Sequence, residues 1–247
     1  MTSTRRWLLT TYKGTGHADT YKWTLPAWAG TLPDGRNYNT CPGASACAPL
    51  CYARTGTYQF RTVKAAHEAN LMMVLDDLPG WEAAMTAELQ HKRYRGGKYV
   101  RCHDAGDFFS PEYTAAWMRV MRSAPDVTFY AYTKSVSLFR ECVEPDPPAN
   151  FKWVYSLGGR EDHLIDLETE RHVDVFPDEE AVEAAGYTSR GDLGDLISIL
   201  GPQKVGLPAN GIKHLQKRQG TKRFSELQRE RNARRRGPGK QFGSGQP

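Results

Sequence analysis

Between Lys98 and Thr133 the chain reads as strand, helix, strand without a break, and this one unit limits the folds open to it. "KYVRCH" (Lys98 to His103) is rich in β-formers and follows the Gly96-Gly97 break, so it predicts a short strand. In "SPEYTAAWMRVMRSAPD", Ser110 can cap a helix, Pro111 suits its first turn, and Glu112 complements the N-terminal dipole. Tyr113, Ala116, Trp117, Val120, Met121 and Ala124 recur at helical spacing and predict one buried face. "VTFYAYT" (Val127 to Thr133) follows as a second strand. Strands separated by a helix of this length are characteristic of βαβ units in a mostly parallel sheet.

The pattern continues. "FKWVYS" (Phe151 to Ser156) and "HVDVF" (His172 to Phe176) read as strands, and "PDEEAVEAAG" as a short helix starting at Pro177 or Asp178 with Gly186 past its end. Upstream, Phe60, Val63, Leu71, Val74, Leu75 and Leu78 mark a helix that carries His67 on the same stripe and stops at Leu78 to Gly80. A further helix is expected from Trp81 to about His91. The expected fold is α/β over residues 1–210, either a partial (β/α) barrel or an open, mostly parallel sheet. Both collect ligands at the carboxyl ends of the strands, here 104–107, 133–135 and 156–162.

The net charge of +5 is unevenly spread. From Lys213 to Lys240 there are eleven Lys or Arg against two Glu, which leaves the preceding chain mildly acidic. Residues 211–247 have almost no apolar face and end in Gly, Pro and Ser, so they are expected as a basic appendage, partly helical and partly disordered. Such a tail either collects phosphates by counterion release or keeps the protein in solution. No run of ~18 apolar residues suggests a membrane span. The apolar run after the basic start "MTSTRR" is too short for a signal peptide, and the expectation is a cytoplasmic protein.

Of five cysteines, three fall in "NTCPGASACAPLCYARTG", at Cys41, Cys47 and Cys51. Clustered thiols in a reducing compartment point to metal ligands rather than disulfides. Their C-x5-C-x3-C spacing lacks the paired ligands of a zinc finger. Three ligands without a fourth leave a coordination position open, as in a [4Fe-4S] cluster held by three thiolates. The rival is zinc with His17, His67, Cys102 or His103 as fourth ligand. The bland alternative, three small buried hydrophobes, sits poorly with Pro42, Gly43 and Pro49 in the same loop. Cys102, in a strand, and Cys142, in a connection, read as structural.

Each polar candidate has a structural counterpart. His103 alone suits a hydrogen-bonded core histidine, and Asp107 a turn before the Ser110 cap. With Asp104, the same residues make a divalent-metal site of nuclease type conceivable. "GGREDH" combines close backbone approach at Gly158 and Gly159 with three active groups, Arg160, Asp162 and His163. Lys13, Gly14 and Gly16 hint at a phosphate loop but lack the strand-to-helix setting of one.

Taken together, "WTLPA", "TCPGASACAPLCYAR", "RCHDAGDFFSPEYTAAW", "FYAYTKS" and "SLGGREDHLI" resemble the actinobacteriophage gene product 88 family, phage proteins of unassigned function, over most of residues 12 to 190. The resemblance implies a phage protein acting in the host bacterial cytoplasm. More distantly, a three-cysteine loop ending in "CYA" ahead of alternating strands and helices is similar to the cluster loop of radical S-adenosylmethionine enzymes. Both cysteine gaps are longer here than the usual C-x3-C-x2-C of that superfamily.

That similarity implies a [4Fe-4S] cluster on Cys41, Cys47 and Cys51, with S-adenosylmethionine on the open iron. "AGD" (Ala105 to Asp107) stands where the superfamily has a glycine-rich acidic turn. Asp104, Gly106 and Asp107 are then cofactor-binding candidates, with Lys134, Ser156, Arg160 and Asp162 directed at the cofactor carboxylate or the substrate. Three functions follow as expectations. The first is an iron-sulfur enzyme of radical type. The second is a non-catalytic, metal-containing phage protein that binds nucleic acid or a host protein through Lys217, Arg218, Lys222, Arg223, Arg234, Arg235 and Arg236. The third is the divalent-metal nuclease.

Overall fold

The computed structural model describes residues 7–12, 19–191 and 194–236. In chain order, β1 (Thr10–Thr11) and β2 (Thr20–Lys22) precede a small hairpin of β3 (Ala29–Thr31) and β4 (Asn37–Asn39). After the cysteine loop come α1 (Arg61–Asp76), α2 (Leu78–Leu89), β5 (Tyr99–Arg101), α3 (Pro111–Ser123), β6 (Thr128–Thr133), α4 (Val136–Cys142) and β7 (Phe151–Ser156). The last third holds β8 (His172–Phe176), α5 (Glu179–Ala184), β9 (Thr188–Ser189), α6 (Asp195–Leu200), β10 (Lys204–Pro208), α7 (Lys213–Gln219) and α8 (Phe224–Arg236).

The main sheet has the order β1-β2-β5-β6-β7-β8-β10-β9. Only β1 and β2 pair antiparallel, and every other neighbouring pair is parallel. Among the described residues its two end strands, β1 and β9, do not pair, so the sheet is open there. One face carries the large core, where Trp23, Trp81, Tyr113, Trp117 and Phe129 are fully enclosed. The other carries a smaller cluster of Tyr130, Val154, Val173, Val205 and Ile199, the last on α6. Period 2 along the strands thus sends Phe129 and Ala131 to one side and Tyr130 and Tyr132 to the other.

The α3 reading holds in detail: the Ser110 hydroxyl accepts from Tyr113 N at 3.2 Å, and the six expected apolar residues are all buried. Two other readings change. "LPG" opens α2 rather than closing α1, because the Asp77 carboxylate caps the new helix by accepting from Gly80 N at 2.9 Å. On α1 the buried residues are Glu68, Asn70, Leu71 and Val74, while Phe60 and Leu75 are exposed. The expected appendage also changes character up to residue 236. Leu215, Gln219, Phe224, Ser225 and Gln228 are buried, and α8 lies against β8. Residues 237–247 are outside the described chain. Among the described residues, no helix is long and apolar enough to cross a membrane.

Candidate functional site

The cysteine loop is seated by backbone contacts at the carboxyl ends of β6 and β7. Cys47 N donates to Gly158 O at 3.2 Å, Arg160 N donates to Gly43 O at 2.8 Å, and Ala44 bridges Gly159. At Gly43 a Cβ would stand 2.3 Å from the Lys134 carbonyl oxygen, so the close approach requires glycine. On its other side the loop meets α8, where the Gln228 side chain accepts from Ala46 N at 3.0 Å. Cys41, Cys47 and Cys51 are free and, as residues, half-buried. The Cys41 thiol accepts from Trp28 N at 3.4 Å, and Trp28 itself is held at φ 62. Burial pushes the Cys51 thiol up to about 11 and Cys41 higher still, which makes them poor nucleophiles in the metal-free protein.

All three cysteines line one cavity of about 420 Å³ together with Asp104, Gly106, Asp107, Lys134 and Ser156. These residues come from four separate segments, the cysteine loop and the stretches at the ends of β5, β6 and β7. The side chains are not equally available. The Asp107 carboxylate accepts from Phe108 N at 2.7 Å, Thr133 Oγ1 at 2.8 Å and Lys134 N at 2.8 Å, tying β5 to β6. Burial raises its pKa to about 6, against those donors. Lys134 Nζ donates to Ser156 O at 2.7 Å, Ser156 Oγ at 2.6 Å and Leu157 O at 2.7 Å, tying β6 to β7 with every ammonium proton engaged. Gly106, between Asp104 and Asp107, sits at φ +86, and a Cβ there would stand 2.7 Å from Leu25 Cβ.

Asp104 faces Lys22 and Tyr58. Burial alone would raise its carboxyl, but Arg101 and Lys22 outweigh that and hold it below the usual range. Next to it lies a group that sequence reasoning missed. Arg101 Nη1 donates to Asp195 Oδ2 at 2.8 Å, and Tyr130 and Tyr132 donate to the same carboxylate at 3.0 Å each. Lys22, Arg101, Tyr132, Arg190 and Asp195 all line the cavity. The signal was a charged residue inside the "YVR" strand and polar aromatics alternating in "FYAYT", all on one sheet face.

Other candidates serve elsewhere. Asp162 accepts from Gly158 N at 2.8 Å and Gly159 N at 2.7 Å, while Arg160 Nε donates to Ala44 O at 3.1 Å. Neither lines the cavity, and the "GGREDH" loop is a clamp on the cysteine loop. His103 does line the cavity, but it bonds Tyr113 OH at 3.0 Å on the core side, and burial with Arg101 lowers its pKa to about 3. His67 packs on Tyr58 with ring centroids 5.7 Å apart, and Cys102 is buried in the core. Lys13, Gly14, Gly16 and His17 lie outside the described residues.

Among the described residues, no three His, Cys, Asp or Glu side chains form a group that would hold a single metal ion. That holds for the nuclease triad of His103, Asp104 and Asp107 and equally for Cys41, Cys47 and Cys51.

The basic candidates divide. Arg223 pairs with Asp174 at 3.7 Å, Lys222 with Glu230, and Arg218 donates to Pro49 O at 2.9 Å. Lys217, Arg234 and Arg235 are exposed, and the side chain of Arg236 lies outside the description.

The chain is 40% identical over 110 residues to the Gene 88 protein of Mycobacterium phage L5, a match covering 42% of this chain and 46% of that protein. It is 35% identical over 112 residues to the Gene 88 protein of Mycobacterium phage D29, covering 42% and 45%. The match thus spans a little under half the length of these relatives. No solved structure matches. The model of the family described as Gene product 88 matches residues 3–237, and the chain belongs to that family.

Proposed function

We propose that this chain is an iron-sulfur enzyme of the radical S-adenosylmethionine type. The observation that carries the reading is that three free thiols converge on one cavity at the carboxyl ends of a parallel sheet, opposite polar groups on β5, β6 and β7. The three thiolates have the donor chemistry of a cluster, which would assign each of them to a different iron. Cys41, Cys47 and Cys51 would hold the [4Fe-4S] cluster, which when bound supplies a one-electron relay and one iron position free of protein thiolate.

The chain's own residues shape the cavity for a polar ligand. Asp107 and Lys134 tie the β5, β6 and β7 termini together and leave Asp104 in the lining, where Lys22 and Tyr58 donate to its carboxylate and Tyr52 donates to its carbonyl. Asp104, kept charged by Arg101 and Lys22, suits an ammonium or ribose hydroxyl. Its volume is that of a small-molecule pocket. The test is dithionite-dependent consumption of S-adenosylmethionine by anaerobically reconstituted protein. Consumption that disappears in Cys51→Ala is expected. An iron-replete wild-type protein that leaves S-adenosylmethionine intact contradicts the reading.

A further inference from the structure

We propose that the substrate brought to this cavity is a single-stranded nucleic acid, whose backbone lies on the outward faces of α7 and α8. The proposal rests on the cavity being a reaction site, and it adds the class of molecule acted on.

Three observations carry it. First, the basic segment is fixed beside the cavity rather than trailing from the body. Phe224, the first residue of α8, lines the cavity, Arg218 of α7 holds Pro49 of the cysteine loop, and Arg231 approaches Ser45 O at 3.4 Å. Secondly, the fold does not consume all of the charge. Arg218, Lys222 and Arg223 are spent on intramolecular contacts. Exposed Lys213, Lys217 and Arg235 form no ion pair among the described residues, and Arg229 and Arg234 reach their glutamates only at 3.9 and 4.0 Å. Surface pairs of that kind contribute little to stability, so these cations are available to phosphates.

Thirdly, the cavity suits an uncharged group. Its aspartates, Asp104, Asp107 and Asp195, are offset by Lys22, Arg101, Lys134 and Arg190, while Trp28, Tyr52, Tyr58 and Phe224 line it as aromatic surface for a neutral base. A nucleotide can keep its phosphate on the helices and place its base among the aromatics. A single strand delivers that base without the cost of unpairing a duplex.

The test uses the full chain without added metal. Fluorescence anisotropy follows binding of labelled single-stranded DNA and RNA of one sequence across a salt series, with polyglutamate as competitor. A parallel measurement follows alkylation of Cys47. Wild-type protein is expected to bind an oligonucleotide with strong salt dependence. The combined variant Lys217→Glu, Arg229→Glu, Arg234→Glu and Arg235→Glu, whose fold is checked by circular dichroism, is expected to bind on the order of a hundredfold more weakly with a shallower salt slope.

Bound oligonucleotide, but not polyglutamate, is expected to slow alkylation, and the DNA and RNA arms identify which polymer is preferred. Equal affinity of wild type and variant, full displacement by polyglutamate, or a Cys47 that stays unprotected each overturns the proposal. None of these readouts needs a cluster, so protein that binds iron and sulfide but no oligonucleotide refutes this inference alone.

Discussion

At the scale of single residues, the site depends on contacts that leave no room for a side-chain atom. Gly43 brings the cysteine loop against the Lys134 carbonyl, and an added Cβ at 2.3 Å has to displace backbone on one side or the other. Gly43→Ala is expected to cost about 1 to 3 kcal/mol in urea unfolding, in the range of an overpacked site. An unchanged midpoint would show that the loop is not clamped there.

Asp174 makes a second, pH-dependent prediction. Burial raises its carboxyl from 3.8 to about 6, with the Ser225 and Val175 donors and Arg223 opposing. The folded chain therefore favours the protonated form. The contribution to stability is full below about 4 and is lost as pH rises through about 6. In Asp174→Asn an amide oxygen can still accept from Val175 N and Ser225 N, the bonds made at 2.9 and 3.1 Å. Wild-type stability relative to this variant is expected to fall across that window, as measured by urea melts at a series of pH values. A constant difference contradicts the assignment.

At the scale of elements, legibility in the sequence followed local chemistry. The α3 segment was readable from end to end because its cap, first-turn proline and apolar stripe are all local, and Ser110→Ala is expected to cost about 1 kcal/mol by the same unfolding assay. No loss would mean that the 3.2 Å bond to Tyr113 N contributes nothing. The phase of α1 was not readable, because tertiary contacts set it. Asn70 is buried to donate to Thr24 O at 2.7 Å, and apolar Leu75 is left outside. "LPG" was misread as a stop because proline serves equally in a first turn, and the Asp77 cap decides between the two roles. Strands β7 and β8 matched residue for residue, since buried parallel strands are continuous β-forming runs.

At the scale of the molecule, parallel topology brings together thiols, Asp104, Asp107, Lys134 and Ser156 from segments far apart in sequence. The strand-end rule made that gathering legible. It did not reveal which of the polar groups tie strands together and which face the cavity, because that depends on partners such as Thr133 and Leu157. Nor was the Arg101–Asp195 pair legible, as it joins residues 94 apart.

The charge of residues 213–236 hid a packed face of Leu215, Phe224 and Gln228. Deleting Lys213 to Pro247 is therefore expected to lower the urea midpoint and expose Asp174 and the back of the cysteine loop. A midpoint equal to that of the full chain would show α7 and α8 to be dispensable.

The central claim is that Cys41, Cys47 and Cys51 hold a cluster rather than pack as small hydrophobes or bind zinc. Iron, acid-labile sulfide and zinc, measured together on anaerobically reconstituted protein, test it most directly. The expected result is about four iron and four sulfide per chain, lost when any one of these three cysteines is changed to Ala and retained in Cys142→Ala. Stoichiometric zinc without iron, or iron that stays bound when the three thiols are gone, contradicts the claim.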